Sequence, residues 1–259
     1  MNKWIMALIA GSFALSVQAQ NGGDNFPYTF KVVKDNTATE TKDQCNTGTC
    51  WSFATSSFIE SELIRMGKGE HDISEMYAVR MTYPMKAENY VRYQGKAQFG
   101  PGSLSHDVIN VIREYGIVPE SVYSGLDANQ KRHDHGELDA VLEGMVKAVV
   151  DKNHGRISGD WDDAVDAVLD VYLGEAPEAF EYQGKRYTPQ SFRDAMELNP
   201  DDYVSITSFT HHEFYDDFIL EVPDNFSQGE FYNVPLDELV RITKDALAAG
   251  FTVAWDADV

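Results

Sequence analysis

Cys50 stands directly before an apolar run, Trp51, Phe53, Ala54, Phe58, Ile59, Leu63 and Ile64, in which no Gly or Pro occurs from Trp51 to Met66. That pattern predicts a helix with the cysteine at its start. A thiol there meets the positive end of the helix dipole and the unpaired N–H groups of the first turn, and both favour thiolate, the nucleophilic form. Gln44 lies six residues earlier and Gly48 two residues earlier. Glycine permits a tight bend before the helix, and the Gln44 carboxamide and the Cys50 N–H could then converge on one developing oxyanion. Gln suits that task because it donates without carrying a titrating charge. The competing reading is a buried structural cysteine that precedes a core helix, since short motifs also arise by chance.

The pattern Gln44-x-x-x-Gly48-x-Cys50-Trp51-x-Phe53-Ala54 resembles the active-site segment of the papain-like cysteine peptidases. Cathepsin-type members carry a disulfide-forming Cys three residues before the nucleophile, where this chain has Thr47; Cys45 is two residues too early for it. That difference, the long helical stretches downstream and the phrase Asp72-Ile73-Ser74-Glu75-Met76 are more similar to the bleomycin hydrolase and bacterial aminopeptidase C branch. The resemblance implies an α+β, two-lobed papain-like fold, with a helical lobe enlarged by insertions and the beginning of a β-rich lobe. It also implies an acyl-enzyme route on Cys50, Trp51 packed beside the site, peptide substrates shortened from the N-terminus, and homo-oligomers, hexamers in relatives. Gly100-Pro101-Gly102-Ser103 resembles the family segment that offers backbone hydrogen bonds to an extended substrate, with Gly102 and Ser103 as contacts; an ordinary turn before a helix is the alternative.

A thiolate also needs a group that moves protons, most simply a histidine. Seven are present: His71, His106, His133, His135, His154, His211 and His212. In the family the catalytic His and its orienting Asn lie far downstream in the second lobe. Asp256-Ala257-Asp258-Val259 resembles the Gly-x-Asp-Val point that precedes them, so the resemblance implies the N-terminal part of a longer enzyme. Recruitment of His211 or His212 is a second possibility, and a catalytically silent, peptide-binding scaffold is a third. No cofactor or metal is expected. His133-Asp134-His135, flanked by Lys131, Arg132 and Gly136, reads as an exposed polar loop.

The elements that would position Cys50 are legible in outline. Phe30 to Val33 is a short strand candidate, and Gly67 and Gly69 end the Cys50 helix. A second helix, capped by Asp72 or Ser74, runs to Tyr83, where Pro84 interrupts it. A third carries Leu104, Val108, Val111, Ile112 and Tyr115 and stops at Gly116; His106 would cap or polarise its start. Leu138 to Val149 and Trp161 to Tyr172 give two more helices, the second with Asp160, Asp162, Asp163, Asp166 and Asp170 as a solvated face. A turn at Gln183-Gly184 and a short helix from Ser191 to Leu198 follow. Val204 to Phe209, Phe218 to Val222 and Phe251 to Trp255 read as strands, bracketing one helix from Leu236 to Leu247 closed by Gly250.

Three segments are expected: residues 1–19 as a signal peptide, 20–202 as the helical lobe and 203–259 as the start of the β-rich lobe. The signal rests on Lys3, the apolar stretch Trp4 to Val17 and the small-residue site Val17-Gln18-Ala19, and it implies an exported protein, periplasmic or extracellular. With 259 residues and 43% hydrophobic content the chain can bury a sizeable core. Its formal net charge of -21 argues against nucleic acid and anionic membrane surfaces as partners, because both would be repelled at low salt. Bridging Cys45 to Cys50 would consume the nucleophile, so no structural disulfide is expected.

Overall fold

The computed structural model describes residues 28–126, 130–152 and 155–257. The signal-peptide segment, the leader at 21–25 and His154 lie outside the described residues. The chain divides into two units, Met1–Asp35 and Asn36–Val259. In the first, residues 28–35 form no strand, so the expectation for Phe30 to Val33 fails; the run is exposed along its whole length.

The second unit begins with the helical part. Helix α1 spans Cys50–Arg65, α2 Glu75–Arg92, α3 Ser105–Glu114, α4 Gly136–Lys152 and α5 Trp161–Leu173. Helix α2 is the hub, packed against α1, α3, α4 and α5. Ser74 caps it by accepting from the Tyr77 N–H at 3.0 Å. Pro84 does not end it: the helix continues to Arg92. Proline removes one helical donor, but residues on both sides of it, Val79, Tyr83, Ala87, Tyr90 and Val91, are buried, and that packing outweighs the local preference. Nor is the acidic face of α5 wholly solvated. Buried Arg80 of α2 donates to Asp166 at 3.1 Å and to Asp170 at 2.7 Å, compensating a cation that would otherwise be unpaired in the core.

Strands β1 (Phe180–Tyr182) and β2 (Lys185–Tyr187) form an antiparallel hairpin. Gln183 and Gly184 both have positive φ at its turn, the conformation that a two-residue hairpin demands. Helix α6 (Pro189–Ala195) starts earlier than Ser191, because Thr188 caps it and Pro189 fits the first turn. It seats fully buried Phe192 among Phe180, Tyr182, Tyr187 and His71.

After a 3-10 turn at Pro200–Asp202 comes a three-stranded sheet. Its strands are β3 (Ile206–Thr207), β4 (Asp217–Ile219) and β5 (Glu230–Asn233), with β5 in the middle, parallel to β3 and antiparallel to β4. The strand expectations at 204–209 and 218–222 are met in part, and the central β5 went unforeseen. Phe251 to Trp255 forms no strand. Helix α7 (Leu236–Ala249) buries none of its residues. Between α1 and α3 on one side and the sheet, α7 and 251–257 on the other lies a groove of about 1460 Å³. Among the described residues no helix is long and apolar enough to cross a membrane.

Candidate active site

Cys50 is the first residue of α1 and is exposed, whereas Thr47, Thr49, Trp51 and Ser52 around it are buried. The sulfur is therefore not a core side chain, and the structural-cysteine reading of Cys50 falls. The preceding turn is held by its own side chains. The Thr47 hydroxyl donates to the Gln44 carbonyl at 3.0 Å and shares a 2.6 Å hydrogen bond with the Thr49 hydroxyl. This folds Gln44 back onto the turn that ends at Cys50. Cys45 takes a left-handed backbone, φ 59°, with its N–H on Asp43 Oδ1 at 2.8 Å; both cysteines are free thiols.

Two long-range ties set the turn in place. On one side Asn46 bridges to the 133–135 loop: its N–H donates to the His133 carbonyl at 3.2 Å, its carbonyl accepts from the His135 N–H at 3.0 Å, and its side chain donates to Asp134 at 2.9 Å. On the other side Gly48, with φ +65°, lies so close to Pro101 that an added Cβ would stand 2.8 Å from Pro101 Cγ. The Trp51 indole N–H donates to the Pro101 carbonyl at 2.9 Å. Gly48, Trp51 and the Gly100–Ser103 loop thus form one contact, which brings the turn before Cys50 and the substrate-loop candidate together.

The loop rests on charged groups that sequence reasoning missed. Buried Lys86 of α2 donates to the carbonyls of Gly100 and Gly102. Its burial pulls the ammonium pKa down to about 8, against the opposing pull of Asp224, Asp107 and Asp139. The Ser103 hydroxyl is buried and donates to Asp107 Oδ2 at 2.5 Å, and the same oxygen accepts from the Leu104 N–H at 3.2 Å, capping α3. Gly102 faces the Asp224 carboxylate, whose nearest oxygen would lie 2.6 Å from a Cβ; Gln98 donates to it at 3.1 Å. Next to it, His106 bonds Ser227 at 2.9 Å and packs its ring on Gly229 and Phe231. No sequence signal marks Asp224, since its partners are more than a hundred residues earlier.

The segment leading into the turn is anchored by a partly buried ionic cluster. Lys42 Nζ lies 2.8 Å from Glu60, 2.6 Å from Glu75 and 2.6 Å from Asp72. Fully buried Glu60 also accepts from Thr39 and from the Ile73 N–H at 2.8 Å. Burial alone would lower the Lys42 pKa, but hydrogen bonds to Asp72, Glu60 and Glu75 outweigh it and raise it.

Among the described residues no imidazole is hydrogen-bonded to the Cys50 thiol. His71 contacts Tyr182 and the Lys68 carbonyl, and His211 and His212 contact Glu221. The expectation of an exposed 133–135 loop is corrected at His135. That ring is buried with neither nitrogen hydrogen-bonded, and its burial pushes the pKa down to about 4, so it is neutral at physiological pH.

No family model matches the chain. It is 26% identical over 184 residues to Aminopeptidase G of Lactobacillus delbrueckii subsp. lactis, a match covering 61% of this chain and 41% of that protein. Among solved structures it is similar to PepW from Lactobacillus rhamnosis HN001, with a TM-score of 0.65 and 19% identity over 86% of this chain and 59% of the other. The chain thus spans about two fifths of the curated relative and about three fifths of the structural one.

Proposed function

We propose, from the papain-like fold that this chain shares with peptidases of the bacterial aminopeptidase C and bleomycin hydrolase type, that Cys50 is the nucleophile of a cysteine aminopeptidase. The observation that carries this reading is the exposed Cys50 at the first residue of α1, preceded by a turn whose Thr47 and Thr49 side chains are buried and hydrogen-bonded. Cys50 attacks the carbonyl of the first peptide bond and the amine product leaves. The Cys50 N–H and the Gln44 carboxamide hold the oxyanion, and water then hydrolyses the acyl-enzyme. Gly102 and Ser103 meet the extended substrate through their backbone N–H groups, since the Gly102 carbonyl is taken by Lys86 and the Ser103 hydroxyl by Asp107. Export after removal of residues 1–19, and assembly into homo-oligomers, are part of the same proposal; N-terminal sequencing of secreted protein and light scattering check them.

The test uses an epoxysuccinyl, E-64-type thiol-directed inhibitor and an aminoacyl substrate. Labelling located by mass spectrometry at Cys50, retained in Cys45→Ala and lost in Cys50→Ala, is expected, together with Cys50-dependent turnover. Labelling at Cys45 alone would overturn the assignment. A second reading, a peptide-binding scaffold without turnover, is favoured by the lack of an imidazole bonded to Cys50 among the described residues. It predicts peptide binding that survives Cys50→Ala, with no aminoacyl hydrolysis by the parent chain.

A further inference from the structure

Away from the cysteine, two imidazoles on the turn between β3 and β4 meet a carboxylate just past the end of β4. His211 Nε2 lies 3.3 Å from Glu221 Oε2, and His212 Nε2 lies 3.1 and 3.2 Å from the two Glu221 oxygens. One ligand atom from each of the three residues can be chosen so that all lie within 4.8 Å of one another. We propose that His211, His212 and Glu221 form a binding site for a borderline divalent transition metal, with zinc as the principal candidate.

The geometry comes close to what such an ion requires. Bonds of about 2.0–2.1 Å in a tetrahedral site put ligand atoms roughly 3.3 Å apart, which is the spacing found between each imidazole and the carboxylate. Two nitrogens and one oxygen suit zinc, copper(II) or nickel(II), whereas magnesium and calcium ask for oxygen donors. Three protein ligands leave the fourth position of a tetrahedral ion open to solvent or to a small donor.

The site is also held in shape before any ion arrives. Fully buried Asn233, at the end of β5, accepts from the Phe209 N–H at 2.8 Å. Its amide donates to the carbonyls of Phe209 (2.9 Å), His212 (3.2 Å) and Glu213 (3.1 Å). The turn carrying both histidines is therefore clamped from beneath. The His212 ring stacks on Phe218, centroids 3.9 Å apart and planes at 17°, which fixes its orientation. The strongly acidic chain concentrates cations at its surface. An ion here would fasten the turn at 211–212 to Glu221, just past the end of β4, across the eight residues between them, stiffening the sheet without touching the cysteine chemistry.

Calorimetric titration of the full chain with zinc chloride tests the proposal. It is done in a Cys45→Ser, Cys50→Ser background so that thiols do not compete. One equivalent is expected, lost in His211→Ala/His212→Ala and weakened by at least about tenfold in Glu221→Gln, with no binding of magnesium. Because only the folded chain would hold the ion, the unfolding temperature should rise with zinc in the parent and not in the double variant. Absence of zinc binding by the parent, or binding unchanged in His211→Ala/His212→Ala, overturns the site. The side chains of His211 and Glu221 are exposed and that of His212 is 29% exposed, and circular dichroism checks that each variant folds.

Discussion

Gly48→Ala is the substitution that most directly probes how the turn before Cys50 is held. Two costs add there. Gly48 has φ +65°, a backbone region that costs an L-residue about 1–2 kcal/mol. The new Cβ would also meet Pro101 Cγ at 2.8 Å and Pro101 Cβ at 3.1 Å, an overpacking that costs about 1–3 kcal/mol because the turn or the 100–103 loop must shift. The sum is about 3 kcal/mol. Gly67→Ala separates the two, since Gly67 has φ +75° but nothing within 4 Å of an added Cβ; it should cost only about 1 kcal/mol. Urea unfolding followed by tryptophan fluorescence measures both, and the rate at which a thiol-directed reagent modifies Cys50 reports displacement of the turn. Pro101→Ala in the Gly48→Ala background should recover part of the loss, a coupling of about 1 kcal/mol in a double-mutant cycle. Equal losses for Gly48→Ala and Gly67→Ala, with no coupling to Pro101, would refute the idea that this contact joins the turn before Cys50 to the loop.

Two further perturbations test the surrounding electrostatics. Burial, with Glu75 and Asp72 nearby, pushes the Glu120 carboxyl up to about 7 from the ordinary 4.5, and at about 1.4 kcal/mol per pH unit this is worth about 3 kcal/mol. A raised carboxyl binds its proton more tightly when folded, so its contribution is full below pH 4.5 and is lost as pH rises through 7. Glu120→Gln should then match the parent near pH 4 and exceed its stability by about 3 kcal/mol at pH 8.5; a pH-independent difference between their urea midpoints would count against it. Lys42→Met leaves fully buried Glu60 and nearly buried Glu75 without their shared cation. It should cost about 3–5 kcal/mol near neutral pH, and a loss under 1 kcal/mol in the same assay would show that the cluster does not anchor the segment leading to Gln44.

The sequence by itself determined the local elements and the identity of the candidate nucleophile. An apolar run without Gly or Pro from Trp51 to Met66 sufficed to predict α1 and to put Cys50 at its start, and Gly48, Gly116 and Gly250 marked bends or stops, all three with positive φ in the structure. These features are encoded between near neighbours, where hydrogen bonding and side-chain periodicity act over a few residues. Where local preference was taken as decisive, it failed: α2 runs through Pro84 because its buried flanks pack on four other helices. Phe251 to Trp255 is not a strand although its residue types favour one. Only the tertiary structure decided that β5 lies between β3 and β4, that Lys42 gathers three carboxylates, that Pro101 closes on Gly48 and Trp51, and that Asp224 faces Gly102 across more than a hundred residues. Such pairings depend on loop closure and on the mutual burial of charges and side chains, terms that come into being only when distant segments meet.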